Sequence, residues 1–257
     1  MNSFRINNYD SAAYYTSIPF DGENGIRHFF STKKGGVSTG PYARLNLGIY
    51  TEDSSINVDE NMRRIFLSAG MNKENAVYLR QAHGNSIYEV TRDNLNNIRG
   101  MEGDGLITRE RNIPIGIFTA DCVPILIYDR VNKIAAALHG GWKGTELKIV
   151  KKAVELMSQR MGSSPDNVLA SIGPSIGECC FEVSADVASK FSSSRQRDGR
   201  LYVDLAKENV DQLERCGVPP GSISISGICT FCSSDTLFSY RRDKGVTGRM
   251  GSFIELV

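Results

Sequence analysis

The sequence is poor in histidine and has no long uninterrupted apolar run. Its 257 residues include only three histidines, which are His28, His83 and His139. Any site built from imidazole side chains must therefore use these positions. The most apolar stretch, residues 113–128, contains Asp121 and two prolines and is shorter than the roughly 20 residues that cross a bilayer. We therefore expect no membrane-spanning segment.

The chain also lacks an excess of charge of either sign. It has 30 Lys and Arg residues against 29 Asp and Glu residues, so its formal net charge at pH 7 is +1. Such a balance creates no overall field that would attract nucleic acid or an anionic membrane. Residues 1–10 are polar and do not resemble a secretory signal. We expect a cytoplasmic protein, a monomer or small homo-oligomer, whose partners are small molecules.

Six cysteines are present, and a chain of this length with no export signal is expected to keep them as reduced thiols. Cys229 and Cys232 form a Cys-x-x-Cys pair, which could bind a metal or be redox-active but is a weak signal without a second pair. Cys179 and Cys180 are adjacent, and two neighbouring side chains do not easily reach one ion. We therefore expect packing rather than ion binding for these two.

Composition and patterning predict a folded α+β protein. Hydrophobic residues make up 40% of the chain and charged residues 23%, which are globular values. Short β-branched runs outnumber the amphipathic helices and do not alternate strictly with them, which favours α+β over a doubly wound sheet. Their spacing suggests a mixed sheet or two packed sheets. The predicted strands are residues 28–31, 76–81, 87–90, 105–108, 115–119, 125–128, 134–138, 168–172, 222–225 and 237–240.

Apolar residues at helical spacing predict three main helices. The clearest covers residues 145–161, where apolar side chains recur at steps of three and four and Gly162 can end the helix. The others cover residues 59–69 and 204–216, with a short helix after Ser184. Residues 192–199 are rich in Ser and Arg, and we expect them to form a mobile surface loop.

Three segments each place a metal-binding side chain at the end of a predicted strand. They are residues 81–84 (QAHG), 119–122 (TADC) and 139–144 (HGGWKG). Strand ends on one side of a sheet are where rigid sites are commonly built. Two imidazoles and a thiolate are good zinc ligands, and three protein ligands leave a fourth position open. His83, Cys122 and His139 thus form a candidate zinc site, unless they are simply buried, hydrogen-bonded core residues.

Two glycine-containing segments carry basic residues that suit an anion. The turn at residues 139–144 lets the backbone approach a ligand closely before a predicted helix begins, and Lys143 adds charge. Arg242 lies between Arg241 and Arg249 in a segment typical of phosphate or carboxylate binding. The alternative is a solvated lysine and ordinary surface ion pairs.

Taken together, the motifs closely resemble one family over nearly the whole chain. This is the YfiH family, long labelled multicopper polyphenol oxidoreductase or laccase-domain proteins, and its motifs occur here in family order from about residue 25 onward. Its members are now regarded as zinc-dependent purine nucleoside phosphorylases with adenosine deaminase and methylthioadenosine phosphorylase activity. The matching segments are residues 35–48 (GGVSTGPYARLNLG), 81–84 (QAHG), 103–108 (GDGLIT), 119–122 (TADC), 139–144 (HGGWKG), 173–183 (GPSIGECCFEV) and 229–249 (CTFCSSDTLFSYRRDKGVTGR).

The resemblance implies a fold, an activity and a site. The fold would be one compact domain over residues 1–257, with packed mixed β-sheets flanked by helices. The activity would be phosphorolysis of adenosine, and also of inosine, guanosine and methylthioadenosine, together with deamination of adenosine by a zinc-activated water. The zinc ligands would be His83, Cys122 and His139, the catalytic residues Arg44, Asn46 and Cys122, and the substrate-binding residues Ser38, Lys143 and Arg242.

Three alternatives stay open on the sequence. Copper could replace zinc and give weak polyphenol oxidase activity, but three histidines cannot build both the blue-copper site and the trinuclear cluster of a laccase. Cys122 beside a histidine could be the nucleophile of a cysteine hydrolase acting on amino-acyl or peptidoglycan-precursor bonds. A non-catalytic zinc module would need a fourth ligand, for which Cys180 and Cys229 are candidates.

Overall fold

Two six-stranded sheets form the centre of the protein in the computed structural model, which describes residues 3–9 and 11–257. A small three-stranded sheet lies apart from them. The strands are β1 (Phe4–Asn8), β2 (Ala12–Ser17), β3 (Ile26–Gly35), β4 (Val77–Tyr78), β5 (Ile87–Val90), β6 (Gly105–Thr108), β7 (Ile115–Thr119), β8 (Val123–Asp129), β9 (Ile134–Gly140), β10 (Val168–Ile172), β11 (Glu182–Val183), β12 (Arg195–Arg197), β13 (Arg200–Tyr202), β14 (Ile223–Ile225) and β15 (Met250–Leu256).

Both large sheets are mixed. The first sheet has the order β1-β2-β3-β15-β7-β4 and the second β14-β10-β8-β9-β6-β5. Most neighbours run antiparallel, but β4 pairs with β7, β5 with β6 and β14 with β10 in parallel. This arrangement confirms the predicted α+β class with packed mixed sheets.

Helices cover the outer faces of the two sheets. The helix α2 packs on the first sheet, and α5 and α7 pack on the second. No helix within the described residues is long and apolar enough to cross a membrane. The helices are α1 (Ile18–Asp21), α2 (Ser55–Ser68), α3 (Leu95–Ile98), α4 (Trp142–Glu146), α5 (Ile149–Met161), α6 (Ala185–Ala188) and α7 (Leu205–Arg215).

The strand β8 shows how the layers are held together. Its seven residues are all buried. Leu126 and Tyr128 pack in the core between the two sheets, whereas Ile125 and Ile127 pack in the core under α5 and α7. A strand covered on both faces needs apolar residues at every position, and this is why the sequence shows a continuous apolar run here.

The strand predictions succeeded best in the second sheet. In the second sheet, residues 87–90, 105–108 and 168–172 form strands with the predicted bounds, and in the first sheet only residues 115–119 do so. The prediction at residues 237–240 was wrong, because this segment has no strand pairing. Within residues 76–81 the strand covers only Val77 and Tyr78, and Arg80 adds an isolated bridge to Glu102. The strands β1, β2 and β15 were not predicted at all.

The long helix predicted at residues 145–161 is two helices. Lys148 has a φ angle of 57°, in the left-handed region, and this change of backbone direction separates α4 from α5. The apolar spacing runs across this break through Leu147, which is 51% exposed, so periodicity alone could not reveal the break. The first turn therefore begins directly after Gly141, closer to the candidate site than predicted.

The loop predicted at residues 192–199 is in part a hairpin. Arg195–Arg197 pair with Arg200–Tyr202, and Asp198 and Gly199 turn the chain with φ angles of 49° and 75°. A two-residue Asp-Gly turn with both φ angles positive is a strong hairpin signal. The interpretation from composition overlooked it, so that prediction was wrong.

The buried His28 belongs to the fold rather than to a site. Its Nε2 accepts a hydrogen bond from the Ser17 backbone amide at 2.8 Å, and its ring is 6% exposed. Burial lowers the pKa of His28 from 6.5 to about 3. Asp21 Oδ1 lies 3.9 Å from the same nitrogen, but protonating that nitrogen would displace the Ser17 donor. His28 therefore stays neutral in the folded protein.

We predict that His28 makes the folded state sensitive to acid. Below pH 6.5 the unfolded chain takes up a proton that the folded chain refuses until about pH 3, so stability falls by up to about 1.4 kcal/mol per pH unit from this residue. His28→Gln keeps an acceptor but does not titrate. Urea unfolding between pH 7 and 4 should show a steeper loss for the wild type, and equal slopes would contradict the assignment.

Candidate functional site

Three donor side chains meet where the two sheets come together. Cys122 lies in the short connection from β7 in the first sheet to β8 in the second. His139 is in β9, beside β8, and His83 follows β4 of the first sheet. The donor atoms of the three residues all lie within 4.8 Å of one another, and Cys122 Sγ is 4.0 Å from His83 Nδ1. The fold thus brings together the three predicted ligands and leaves His28 elsewhere.

The buried carboxylate of Asp104 orients both histidines. Its Oδ1 accepts a hydrogen bond from His139 Nδ1 at 2.8 Å and from the His83 backbone amide at 2.9 Å. Its Oδ2 accepts from the backbone amides of Gly84 at 2.7 Å and Ala82 at 3.3 Å. Because Nδ1 of His139 is engaged, the ring presents Nε2 to the other donors. Carboxylate support of this kind is typical of metal-binding histidines.

The backbone is held in unusual conformations around the donors. His83 has a φ angle of 59° and Asp121, just before Cys122, has one of 88°. Residues other than glycine rarely adopt the left-handed region, and such backbone strain tends to occur at functional sites. Asp121 is held by Thr230 Oγ1, which donates to its Oδ1 at 2.6 Å, and by the Arg241 backbone amide, which donates to its Oδ2 at 2.7 Å.

The electrostatics favour a thiolate in this site. Burial by itself raises the pKa of Cys122, but the positive charge and hydrogen bonds of His139 and His83 outweigh it and bring the pKa to about 6. Burial likewise lowers the pKa of His139, whereas the Cys122 thiolate and Asp104 raise it to about 9. Hydrogen bonds from His139 and the backbone amides overcome burial and keep the pKa of Asp104 low.

Gly141 supports a metal at these donors. A Cβ atom there would lie 2.8 Å from His83 Nδ1, 3.4 Å from Cys122 Sγ and 3.6 Å from His139 Cε1. The backbone angles of this residue, φ −68° and ψ 166°, suit any amino acid. The missing side chain is therefore required by space at the donors and not by conformation. With two imidazoles and one thiolate around that space, the residues fit zinc or another borderline-soft ion.

The donors open into a cavity of about 600 Å³. Aromatic side chains on its walls offer flat surfaces to a planar ring, and basic side chains offer partners for an anion. Thr119 adds a buried hydroxyl that has no hydrogen-bond partner among the described residues. The aromatic residues are Tyr50, Phe118, Trp142, Phe181 and Tyr240, and the basic residues are Arg80, Arg241 and Arg249. A concave site of this size can hold a nucleoside-sized molecule.

Two arginines from the C-terminal segment reach the cavity. Arg249 lies over the Tyr240 ring, 5.6 Å from its centroid, and burial lowers the pKa of its guanidinium. Its Nη1 donates to the carbonyls of Thr247 and Gly248, whereas its Nε and Nη2 make no hydrogen bond within residues 3–9 and 11–257. Arg241 lies over Phe181 and donates to the Glu182 carbonyl.

The structure does not bring every predicted site residue to the cavity. The Arg242 guanidinium is engaged with Asp243 and with three backbone carbonyls. Lys143 is exposed, 5.5 Å from the centroid of the Trp142 ring, and Arg44 is exposed on its loop. None of these three side chains lines the cavity. Basic charge at the site comes from neighbouring positions instead.

Ser38 and Asn46 act within the scaffold. Ser38, in the loop after β3, accepts a hydrogen bond at its Oγ from Nδ2 of Asn61 in α2, at 2.8 Å. Asn46 is fully buried, and its Oδ1 accepts from the backbone amides of Gly48 at 2.9 Å and Arg249 at 2.8 Å. Both of those residues line the cavity, so Asn46 positions the wall.

Several contributing residues carried no role in the sequence interpretation. Asp104 and Asp121 lie inside the motifs GDGLIT and TADC, next to the strands that hold the donors. An isolated aspartate directly before a buried strand was the available signal. Gln81, in QAHG, ties β4 to β7 because its Nε2 donates to the Phe118 carbonyl and its Oε1 accepts from the Phe118 amide.

Close packing requires glycine at two positions of the turn at residues 139–144. A Cβ at Gly144 would lie 2.8 Å from the Gly84 carbonyl and 3.2 Å from that of His139. Glycine at 144 thus lets α4 pack against the His83 segment. Together with the space at Gly141, this gives a steric reason for two of the three glycines in the turn.

Comparison with known proteins gives the family. A family model described as multi-copper polyphenol oxidoreductase laccase matches residues 27–257. The chain is 33% identical over 240 residues to the purine nucleoside phosphorylase YlmD of Bacillus subtilis, covering 88% of this chain and 86% of the relative. It is 37% identical over 237 residues to a purine nucleoside phosphorylase of Deinococcus radiodurans, covering 90% and 89%.

Solved structures agree with the sequence comparison. The crystal structure of a hypothetical protein YfiH from Bacillus licheniformis matches with a TM-score of 0.92 and 32% identity, covering 100% of both chains. YlmD from Geobacillus stearothermophilus matches with a TM-score of 0.91 and 31% identity, covering 100% of this chain and 99% of that one. The chain therefore belongs to the YfiH family of laccase-domain proteins.

Proposed function

We propose that this protein is a zinc-dependent purine nucleoside phosphorylase that cleaves adenosine with inorganic phosphate. The relatives bear the name purine nucleoside phosphorylase. The observation that carries the proposal is one cavity in which aromatic walls, two arginines and a His-Cys-His donor set face the same space. A purine, a phosphate and a metal each find suitable partners there.

The residues divide the substrates between two parts of the cavity. Arg241 and Arg249 would hold phosphate, because guanidinium groups bind its oxygens through two parallel hydrogen bonds. The base would stack on aromatic side chains such as Tyr50 or Phe181, and the Thr119 hydroxyl would find a partner in the ribose or the base. This arrangement assigns the phosphate to residues other than Lys143, Arg44 and the glycine turn, which the sequence suggested, and it gives Asn46 a positioning role.

The reaction then needs little more than alignment and charge. An oxygen of phosphate forms a bond to C1′, the bond from C1′ to the base nitrogen breaks, and its electron pair leaves with the base, which takes up a proton. The products are adenine and ribose 1-phosphate. Positive charge that develops on the ribose is stabilised by the phosphate that the arginines hold in place. When bound, zinc supplies a Lewis acid beside the substrate and favours the deprotonation of water.

The same cavity would serve the finer activities. Inosine, guanosine and methylthioadenosine share the purine ring and the ribose, so the same stacking and phosphate contacts apply to them. For deamination of adenosine, water adds at C6 and the amino group leaves as ammonia, which yields inosine. Asp104, through its hydrogen bond to His139, would keep the three donor residues aligned in both reactions. Neither residue contacts the phosphate side of the cavity.

A second candidate function rests on the alignment of Cys122, His139 and Asp104. A thiolate beside a histidine that is oriented by a carboxylate is also the arrangement of a cysteine hydrolase. The position of His83 argues for metal binding, because a second imidazole facing the same sulfur has no role in such a hydrolase. Metal content and alkylation of Cys122 separate the two functions.

We predict that adenosine yields adenine only when phosphate is present. Purified protein is incubated with adenosine with and without phosphate, and bases and nucleosides are separated by chromatography, while zinc and copper are measured by mass spectrometry. His83→Ala should lose the metal of the His83–Cys122–His139 site and the activity together, since two protein ligands hold zinc poorly. Cys216→Ser, at the far end of α7, is the control that keeps both.

Two outcomes would contradict this function. A His83→Ala protein that has lost the metal of this site but keeps full activity would exclude the zinc mechanism. A wild type that holds no metal at His83, Cys122 and His139, does not turn over adenosine and is alkylated at Cys122 would favour the hydrolase.

We predict that Asp104→Asn weakens metal binding about 10- to 100-fold, because support of a ligating histidine by a carboxylate is typically worth this much. Titration of the apoprotein with zinc against a competing chelator measures the affinity. Asp129→Asn is a matched control, since Asp129 is a fully buried carboxylate that accepts backbone hydrogen bonds at 2.8 Å far from the donors. Equal zinc affinity in both variants would contradict the role of Asp104.

We predict that Arg249→Ala raises the KM for phosphate about 10- to 100-fold, since a hydrogen bond to a charged group contributes roughly 1.5–3 kcal/mol. Lys143→Ala should leave this KM near the wild-type value, because Lys143 does not line the cavity. Steady-state kinetics with varied phosphate measures both. The reverse result, a large effect at Lys143 and none at Arg249, would restore the sequence-based assignment.

A further inference from the structure

Four of the remaining five cysteines meet in a second cluster that the proposed function does not use. They are Cys179, Cys180, Cys229 and Cys232, and their sulfur atoms all lie within 4.8 Å of one another. The Sγ of Cys232 lies 3.4 Å from that of Cys180 and 3.8 Å from that of Cys179. The two pairs are about fifty residues apart in the sequence, so the fold has brought them together.

We propose that these four cysteines bind one zinc ion, separate from the His83 site. Zinc bound by four thiolates sits about 2.3 Å from each sulfur, and a tetrahedron of that size places the sulfurs about 3.8 Å apart. The distances at Cys232 lie close to this value. An iron–sulfur cluster holds several irons and sulfides between its cysteines and needs them farther apart, so the geometry favours a single ion.

Local structure explains how two adjacent cysteines reach one centre. The chain makes a helical turn here, in which the amides of Cys180 and Phe181 donate to the Gly177 carbonyl at 3.0 Å and 2.9 Å. Successive side chains in such a turn point about 100° apart. Both sulfurs can therefore lie on the side that faces Cys232. This corrects the expectation that Cys179 and Cys180 only pack.

The surroundings of the cluster suit a charged metal thiolate. The Gly177 amide donates to Cys229 Sγ at 3.3 Å, and a Cβ at Gly177 would lie 3.3 Å from Cys179 Sγ. Zinc with four thiolates carries net negative charge, and Arg197 lies beside it because its Nη2 donates to the Cys179 carbonyl at 2.9 Å. Hydrogen bonds to the sulfur and a nearby cation are the support that such sites require.

The proposed ion would cross-link two segments that border the catalytic cavity. One is the turn at residues 177–181, whose Phe181 lines the cavity. The other is the turn of Cys229 and Cys232, whose Thr230 donates to Asp121 beside Cys122. The ion would thus hold the cavity wall in place, which is a structural role and not a catalytic one. The inference does not rest on the proposed phosphorylase activity.

The experiment is a zinc count on protein purified without added chelator. Wild type should contain one more zinc per chain than the double variant Cys229→Ser/Cys232→Ser, whether or not the first site is filled. Cys216→Ser is the matched control, because Cys216 is the sixth cysteine and lies outside both groups. It should keep the wild-type count, and His83→Ala should lose only the zinc of the first site.

A second measurement does not depend on the folding of the double variant. In His83→Ala, replacement of zinc by cobalt should give the intense sulfur-to-cobalt absorption of a tetrahedral thiolate site, and Cys180→Ser should weaken it. Equal zinc in wild type and a folded double variant would overturn the proposal. So would iron in place of zinc, or a count of free thiols in denatured protein that shows disulfides among the four cysteines.

Discussion

The carboxylate of Asp104 is the interaction on which the candidate site depends. It binds His139, which belongs to the second sheet, and the backbone amides around His83, which follows the first sheet. The carboxylate is buried, yet its charge is matched by one imidazole and three amides. Removing that charge would leave several donors without a charged acceptor at a fully buried position, which is more costly than losing one ordinary hydrogen bond. Asp104 therefore fixes the two sheets relative to each other at the point where the donor side chains meet.

Sequence patterns predicted the second sheet well and the first sheet poorly. The strands β8 and β9 are covered on both faces, and their continuous apolar runs leave few other interpretations. In contrast, β15 has Gly251 and Ser252 in its first half, and nothing local shows that it is a buried strand between β3 and β7. This strand forms only by pairing with β3 and β7, which lie more than a hundred residues earlier in the sequence. The break at Lys148 is hidden because an exposed apolar residue, Leu147, continues the helical spacing across it.

The donors of the site were predictable, and their supporting residues were not. Histidine is so scarce here that His83 and His139 stood out, and each follows a predicted strand. Phosphate partners could be located only to a segment, because adjacent arginines point in different directions: Arg242 turns inward to backbone carbonyls while Arg241 reaches the cavity. Asn46 was predicted to be catalytic. In the structure it accepts hydrogen bonds from the backbone amides of Gly48 and Arg249, two residues of the cavity wall. Such second-layer contacts depend on distances that no linear motif contains.

The position of β15 in the chain has a consequence for folding during translation. This strand follows the other fourteen described strands in the chain, and among the described residues it alone joins β3 to β7 in the first sheet. During translation the second sheet can assemble as its strands leave the ribosome, but the first must wait in two halves with open strand edges. Open edges invite pairing with other chains. A nascent chain is thus most exposed to aggregation just before residues 250–256 emerge, and Arg249 reaches the cavity only at that same late step.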